Sequence, residues 1–85
     1  VKLVPNPFNK ESFVQFNVKK PSRAELLIYS MQGLLLDQQK LGYINEGEHK
    51  IMIPARKLSP GVYVYVLRTD AGQYSGRMIY TGDAL

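Results

Sequence analysis

The amino-acid sequence predicts an all-β protein that folds as one antiparallel sandwich of about seven short strands. Apolar and polar residues alternate along several short segments, as they do in a strand with one buried face. Turn-forming residues, mainly glycine, proline and serine, separate these segments at short intervals. No long segment repeats its apolar residues with the period of a helix.

The composition limits both the size and the chemistry of the protein. Its 85 residues predict a single domain, 1–85, with a modest core. The absence of cysteine excludes disulfides and thiolate metal sites. No segment reaches the roughly 18 apolar residues of a membrane helix, and no signal segment is present. Because the sequence begins with Val1, we expect it to be a fragment of a longer protein.

The most informative segment is the apolar run that follows Pro60-Gly61. This dipeptide predicts a turn in which Gly61 takes a left-handed conformation. From Val62 to Leu67 both faces of the strand are apolar, so we expect it inside a sheet. The pattern Leu58-x-Pro60-Gly61-x-Tyr63 also resembles the tyrosine corner of Greek-key sandwiches. A turn over 69–73 predicts that Tyr74–Tyr80 returns as the antiparallel partner.

The N-terminal half predicts an edge strand, a proline-rich lead-in and two further strands. Lys2 to Val4 is the possible edge strand, and residues 4–9 predict a stiff extended lead-in with Phe8 as an apolar plug. A proline-rich recognition ligand is the alternative for this lead-in, supported by a single Pro-x-Pro. The alternation predicts strands over 12–18 and 24–29.

The middle of the chain predicts a hairpin, a loop and another strand. Gly33 occupies the turn position that most needs a positive φ, and a strand follows over 34–40. A helix from Leu26 to Lys40 is the alternative, which Gly33 disfavours. Residues 42–47 are expected to be loop, 48–53 a strand, and 55–58 one helical turn. The predicted core consists of Val14, Phe16, Leu26, Ile28, Leu36, Ile51, Ile53, Tyr63, Tyr65 and Met78.

Few residues are suited to catalysis or to binding a cofactor. His49 is the only histidine and lacks a nucleophile or an orienting carboxylate on its own face, so we interpret it as a half-buried packing residue. We therefore predict neither an enzyme nor a bound cofactor or metal. The basic residues are scattered, which favours a solvated surface over nucleic-acid binding. Tyr29, Tyr43 and Tyr74 are the tyrosines that could be exposed.

Five motifs, in order, resemble the type A C-terminal sorting domain of the type IX secretion system of Bacteroidota. They are Pro5-Asn6-Pro7-Phe8-Asn9, Ile28-Tyr29-Ser30-Met31-Gln32-Gly33, Gly47-Glu48-His49, Leu58-x-x-Gly61-Val62-Tyr63 and Arg77-Met78. Each motif is weak alone, but together they cover Val4 to Tyr80 and are fairly specific.

The resemblance implies an immunoglobulin-like sandwich at the end of a larger exported cargo protein. The outer-membrane secretion machinery would recognise the domain, and a sortase-like peptidase would then remove it and attach the cargo to an anionic lipopolysaccharide at the cell surface. The resemblance thus implies a protein that passes through the periplasm to the cell surface or the medium. We expect the domain itself to be a monomer.

Two other functions are compatible with the sequence. Immunoglobulin-like modules such as those of flagellar hook-capping proteins act as spacers or assembly parts, and a carbohydrate-binding sandwich would require an exposed aromatic row. Under the sorting hypothesis, the last strand and the tail Thr81–Leu85 carry recognition, and the lead-in adjoins the processing site. The candidate recognition strand consists of Tyr74, Ser75, Gly76, Arg77, Met78, Ile79 and Tyr80.

Overall fold

The computed structural model describes residues 1–55 and 58–82. Seven strands occur in these ranges: β1 (Lys2–Val4), β2 (Phe13–Val18), β3 (Ser22–Ser30), β4 (Leu35–Ile44), β5 (Gly47–Met52), β6 (Gly61–Thr69) and β7 (Gly72–Tyr80). They form a three-stranded sheet, β1-β2-β5, and a four-stranded sheet, β4-β3-β6-β7, in which all neighbours are antiparallel. The predicted antiparallel sandwich is confirmed. The described residues contain no helix long and apolar enough to cross a bilayer.

β6 is an interior strand of the four-stranded sheet, paired with β3 along one edge and with β7 along the other. Tyr65 and Leu67 point from β6 into the sandwich and are buried. Val66 points to the outer face and is also buried, directly opposite Leu27 of β3. The run of apolar residues on both faces of β6 therefore indicated an interior strand correctly.

The core lies between the two sheets and draws on both of them. Ile51 and Tyr63 are partly buried and pack against this cluster. The remaining predicted core residues, apart from Leu36, are buried: Val14, Phe16, Leu26, Ile28, Ile53, Tyr65 and Met78. Period-two alternation thus predicted most of the core because each strand has one face toward the other sheet.

Leu36 does not belong to the core, contrary to the sequence-based prediction, and its side chain is 44% exposed. The register between β3 and β4 shifts here: Ile28 pairs with Asp37, whereas Tyr29 pairs with Leu35. Leu36 is the extra residue of this bulge and has no partner opposite it. A bulge breaks the alternation of inward and outward side chains, so the leucine is left in solvent.

The loop predicted over 42–47 is also wrong, because β4 continues to Ile44 and β5 begins at Gly47. Only Asn45 and Glu46 connect the two strands, which belong to different sheets. A second register shift precedes Gly42, whose φ is 71°. Glycine adopts this conformation without steric cost, so β4 can continue past the irregularity.

The turn before β6 contains the predicted tyrosine corner but not the predicted glycine conformation. The Tyr63 hydroxyl donates a hydrogen bond to the Ser59 carbonyl, as in the tyrosine corner. Gly61, however, does not have a positive φ. A Cβ at Gly61 would meet its nearest neighbours, the Tyr63 ring and hydroxyl, at 3.8 Å, which is ordinary contact. The requirement for glycine that we inferred at this position is therefore absent.

The segment between β5 and β6 leaves the sheet at Pro54, as a residue without a backbone donor predicts. The Leu58 N–H donates to the Ala55 carbonyl at 3.0 Å. The predicted helical turn over 55–58 also includes Arg56 and Lys57, which lie outside the described residues.

We predict that Gly76→Ala destabilises the domain, because the Tyr65 ring lies directly over this glycine of β7. A Cβ at Gly76 would lie 2.5 Å from the Tyr65 hydroxyl oxygen and 2.7 Å from two ring carbons. We expect the free energy of unfolding to fall by about 1–3 kcal/mol, as in overpacked cores. Urea unfolding followed by circular dichroism measures this loss.

The matched control is Gly61→Ala, which adds the same methyl group where the neighbours are at ordinary contact distance. We expect it to change the free energy of unfolding by no more than about 1 kcal/mol. Equal losses at the two positions would contradict the proposed packing of Tyr65 on Gly76.

We predict that Tyr63→Phe destabilises the domain by about 1 kcal/mol, the typical net contribution of one hydrogen bond. The substitution removes the hydroxyl that bonds the Ser59 carbonyl and keeps the ring against the core. Thermal and urea unfolding test this expectation. Tyr43→Phe is the control, because Tyr43 is 70% exposed, and an equal loss there would refute the role of the corner.

Candidate functional site

The candidate recognition strand, Tyr74–Tyr80, lies within β7 at one edge of the four-stranded sheet. Its residues pair with β6 along the whole length, from Gly61 opposite Tyr80 to Leu67 opposite Tyr74. The other edge of β7 faces away from the sheet. An antiparallel ladder directs the backbone groups of alternate residues toward this outer side.

Side chains of β7 alternate between the two faces, as the sequence predicts. Ser75, Arg77 and Ile79 lie opposite outward-facing valines of β6, and Arg77 is exposed. Met78 points inward and is fully buried. Gly76 also lies on the inner face, where its missing side chain leaves room for the ring of Tyr65.

The proline-rich lead-in covers part of the free edge of β7, a contact that the sequence analysis missed. The Asn6 side-chain amide donates to the Arg77 carbonyl at 2.8 Å and accepts from the Ile79 N–H at 3.0 Å. The Phe8 N–H donates to the Ile79 carbonyl at 3.0 Å. Asn6 and Phe8 therefore occupy hydrogen-bonding positions that a neighbouring strand would fill.

These contacts correct the expectation of an extended lead-in and limit how much of the edge of β7 is free. The lead-in is not extended throughout: after β1 it bends over residues 5–7 and crosses from one sheet to the other. The edge of β7 is not open along its whole length, because its C-terminal half is covered. The only signal in the sequence was the Asn6 side chain, which carries the donor and acceptor of a peptide group.

Several contacts anchor the lead-in beside β7. Phe8 is buried, as predicted for an apolar plug, and its ring centroid lies 5.1 Å from that of Tyr80. The Phe8 carbonyl accepts hydrogen bonds from both the N–H and the hydroxyl of Thr81, at 2.8 and 3.1 Å. The buried Ser12 hydroxyl donates to the Pro5 carbonyl. Residues before β2 and after β7 thus form one packed unit.

Other motif residues serve local structure elsewhere in the sandwich. Gly33 has a φ of 91° in the β3–β4 turn, where the Ser30 hydroxyl accepts hydrogen bonds from the N–H groups of Gln32 and Leu34. Leu58 is partly buried and packs against the core. None of these positions, nor Gly61 or Tyr63, which pair with β7 from β6, lies at the free edge of β7.

His49 has the packing role that the sequence analysis favoured. It is partly buried and stacks on Phe16, with ring centroids 5.5 Å apart. Its Nε2 lies 2.7 Å from the Asn45 carbonyl oxygen, within hydrogen-bonding distance. Among the described residues, no three histidine, aspartate or glutamate side chains are close enough together to hold a metal ion.

The outer face of the four-stranded sheet carries a small polar network. Arg68 forms an ion pair with Glu25 at 2.9 Å, and the Gln38 amide donates to the same carboxylate at 2.9 Å. The Gln38 hydrogen bond, with help from the Arg68 charge, lowers the pKa of Glu25. All three groups are near solvent, so this network adds little to stability.

The exposed tyrosines do not form an aromatic row. Tyr43 lies on β4 and Tyr74 on β7, at opposite edges of the four-stranded sheet. Tyr43 pairs with the outward-facing Arg23, whereas Tyr74 pairs with the inward-facing Leu67, so the two rings are on different faces. This arrangement argues against the stacking platform that a carbohydrate-binding module requires.

Of the predicted tail, only Thr81 and Gly82 lie within the described residues, and Asp83–Leu85 lie outside them.

A model of one protein family, described as the secretion system C-terminal sorting domain, matches residues 2–81. No curated protein and no solved structure matches the chain significantly. The family match begins at β1, includes the lead-in and ends just after β7. The chain belongs to the secretion system C-terminal sorting domain family.

Proposed function

We propose that this domain directs a covalently linked cargo protein across the outer membrane through the type IX secretion system, and that it is then removed or used for surface anchoring. The observation that carries the proposal is the family match over residues 2–81, because it spans all strands of the sandwich. Membership of this family implies an exported protein, located at the cell surface or outside the cell. Transit through the periplasm is part of the proposal.

In this proposal β7 is the segment that the secretion machinery recognises. Its edge position supports the assignment, because an edge strand offers backbone groups to a partner. Arg77 is exposed on the same strand and forms no ion pair with any described residue. Edge protection against aggregation is an alternative role for this charge.

The lead-in, Pro5-Asn6-Pro7, is proposed to adjoin the processing site. Pro5, Asn6 and Pro7 are all exposed, which a peptidase acting near them would require. Both neighbours of this segment in the chain belong to the sandwich: β1 precedes it and the buried Phe8 follows it. Cleavage on the N-terminal side of β1 would separate the cargo and leave the sandwich intact.

The structural-spacer function is the competing proposal, since a sandwich of this kind also serves in hook-capping proteins. The fold does not favour either function, because many functions share one sandwich architecture. The family match supports sorting. A carbohydrate-binding role is the weaker competitor, given the separated positions of Tyr43 and Tyr74.

A reporter fusion tests the proposed function. Residues 1–85, placed after a reporter that carries a signal peptide, should bring the reporter to the cell surface in a host with the type IX system. The same fusion in a host that lacks the system should stay in the periplasm. A full-length fusion that stays in the periplasm of the competent host would contradict sorting and favour the spacer function.

Deletion of Gln73–Leu85 tests the assignment to β7 and should abolish surface display. Because β7 pairs with β6 along its length, this deletion also threatens the fold. Arg77→Glu is therefore the companion variant, since Arg77 is exposed and its reversal should leave the sandwich folded. Surface display that survives the deletion would refute recognition through the last strand.

We also propose that the domain is non-catalytic and binds no metal tightly, as the isolated position of His49 suggests. Elemental analysis of the purified domain should find zinc and calcium far below one equivalent per chain. A stoichiometric metal that survives dialysis against a chelator would contradict this prediction. Adding a chelator should likewise leave the melting temperature unchanged.

A further inference from the structure

The free edge of β7 is divided into a covered half and an uncovered half. The outward-facing groups of the covered half are the Arg77 carbonyl and both backbone groups of Ile79, which bond to Asn6 and Phe8. By alternation, Gln73 and Ser75 direct their backbone N–H and carbonyl to the same side, as does the Arg77 N–H. Among the described residues, none bonds to these remaining groups.

The side chain of Asn6 shows what this edge accepts. One amide supplies a donor to the Arg77 carbonyl and an acceptor to the Ile79 N–H, which is the pair of bonds that the N–H and carbonyl of one residue in an added parallel strand would make. Asn6 is exposed, so solvent or another chain can compete for these bonds. The Asn6 side chain thus reproduces strand pairing with β7, and this pairing extends no further toward Gln73 than the Arg77 carbonyl.

The inner side of the uncovered half carries one long side chain of β7, that of the exposed Tyr74. Gly76 has no side chain, and the Tyr65 hydroxyl lies beside it, 2.5 Å from where a Cβ would be. No described residue bonds to this hydroxyl, whose burial raises the pKa of Tyr65. On the opposite side of the strand, Arg77 projects an exposed positive charge. A strand placed here would meet a hydroxyl on one face and a cation on the other.

We propose that the edge of β7 from Gln73 to Arg77 binds an extended strand of the secretion machinery by β-addition, and that this strand displaces Asn6 when it extends to Ile79. This inference rests on the proposed sorting function and specifies how the partner is held. The incoming strand carries an acidic side chain next to Arg77. Backbone hydrogen bonds supply the affinity, which suits a signal that many different cargoes must share.

Proline substitution separates strand addition from the stability of β7. The Ser75 N–H points away from β6, so Ser75→Pro removes an edge donor and breaks no bond of the β6–β7 ladder. Ser75→Ala is the matched control, because it retains the N–H. Circular dichroism and thermal unfolding of both variants verify that the sandwich is folded.

The binding itself is measured by site-specific photo-crosslinking of the reporter fusion in the competent host. A photoreactive amino acid at Gln73, on the uncovered half, should crosslink to an outer-membrane component of the secretion machinery, identified by mass spectrometry. The same amino acid at Glu48, on the exposed side of β5, should not. Ser75→Pro should lower the Gln73 crosslink by about tenfold, the effect of losing one or two hydrogen bonds, and Ser75→Ala should not.

The variant Asn6→Ala tests whether Asn6 competes with the incoming strand or supports its binding, because the two roles change the Gln73 crosslink in opposite directions. If Asn6 competes with the incoming strand, its removal should increase the Gln73 crosslink severalfold, even though the domain becomes slightly less stable. A decrease in crosslinking would overturn the displacement step.

Arg77→Glu should weaken the crosslink and Arg77→Lys should retain it. A folded Arg77→Glu variant with an unchanged crosslink would overturn the acidic side chain proposed for the incoming strand.

Failure of this inference and failure of the sorting function give different results. If the unmodified fusion reaches the surface but folded Ser75→Pro crosslinks as well as Ser75→Ala, strand addition at β7 is wrong and sorting stands. If the unmodified fusion remains in the periplasm, the proposed function itself is wrong. Crosslinks from Glu48 as strong as those from Gln73 would also overturn the assignment to this edge.

Discussion

The rest of the sandwich depends on the pairing of β6 along both of its edges. β3 and β7 are held in register by this one strand, and the largest inward side chains of β6 fill the centre of the core. Such pairing satisfies the backbone groups of a strand that water cannot reach. β7 pairs with β6 and with no other strand of the described residues, so it lies at the border of the sheet.

An edge strand must be protected from unwanted pairing yet remain available if it is to be recognised. In this protein the lead-in covers only half of β7, which protects that half and leaves the rest of the edge open. The covering contact is made mainly by one exposed side chain, Asn6, while the buried ring of Phe8 holds the segment in place. Natural sheets often protect their edges with loops or charges, and here both devices occur on the same strand.

The contact between lead-in and last strand also joins the two parts of the domain that the sorting hypothesis uses. The proposed processing region and the proposed recognition strand are far apart in sequence but share a set of hydrogen bonds. A partner bound to β7 would therefore affect the lead-in directly. Arg77 connects the proposed processing region with the proposed recognition strand, because its carbonyl accepts a hydrogen bond from Asn6 while its side chain faces solvent on β7.

The sequence alone determined the fold class, most strand positions and most of the core, because alternation and turn residues act over a few neighbouring positions. Only the tertiary structure decided three other features. Leu36 is exposed because of a bulge in β4, and a Cβ would clash at Gly76 but not at Gly61. The covering of β7 by Asn6 joins residues more than 70 positions apart, and local patterns carry no information about such a contact.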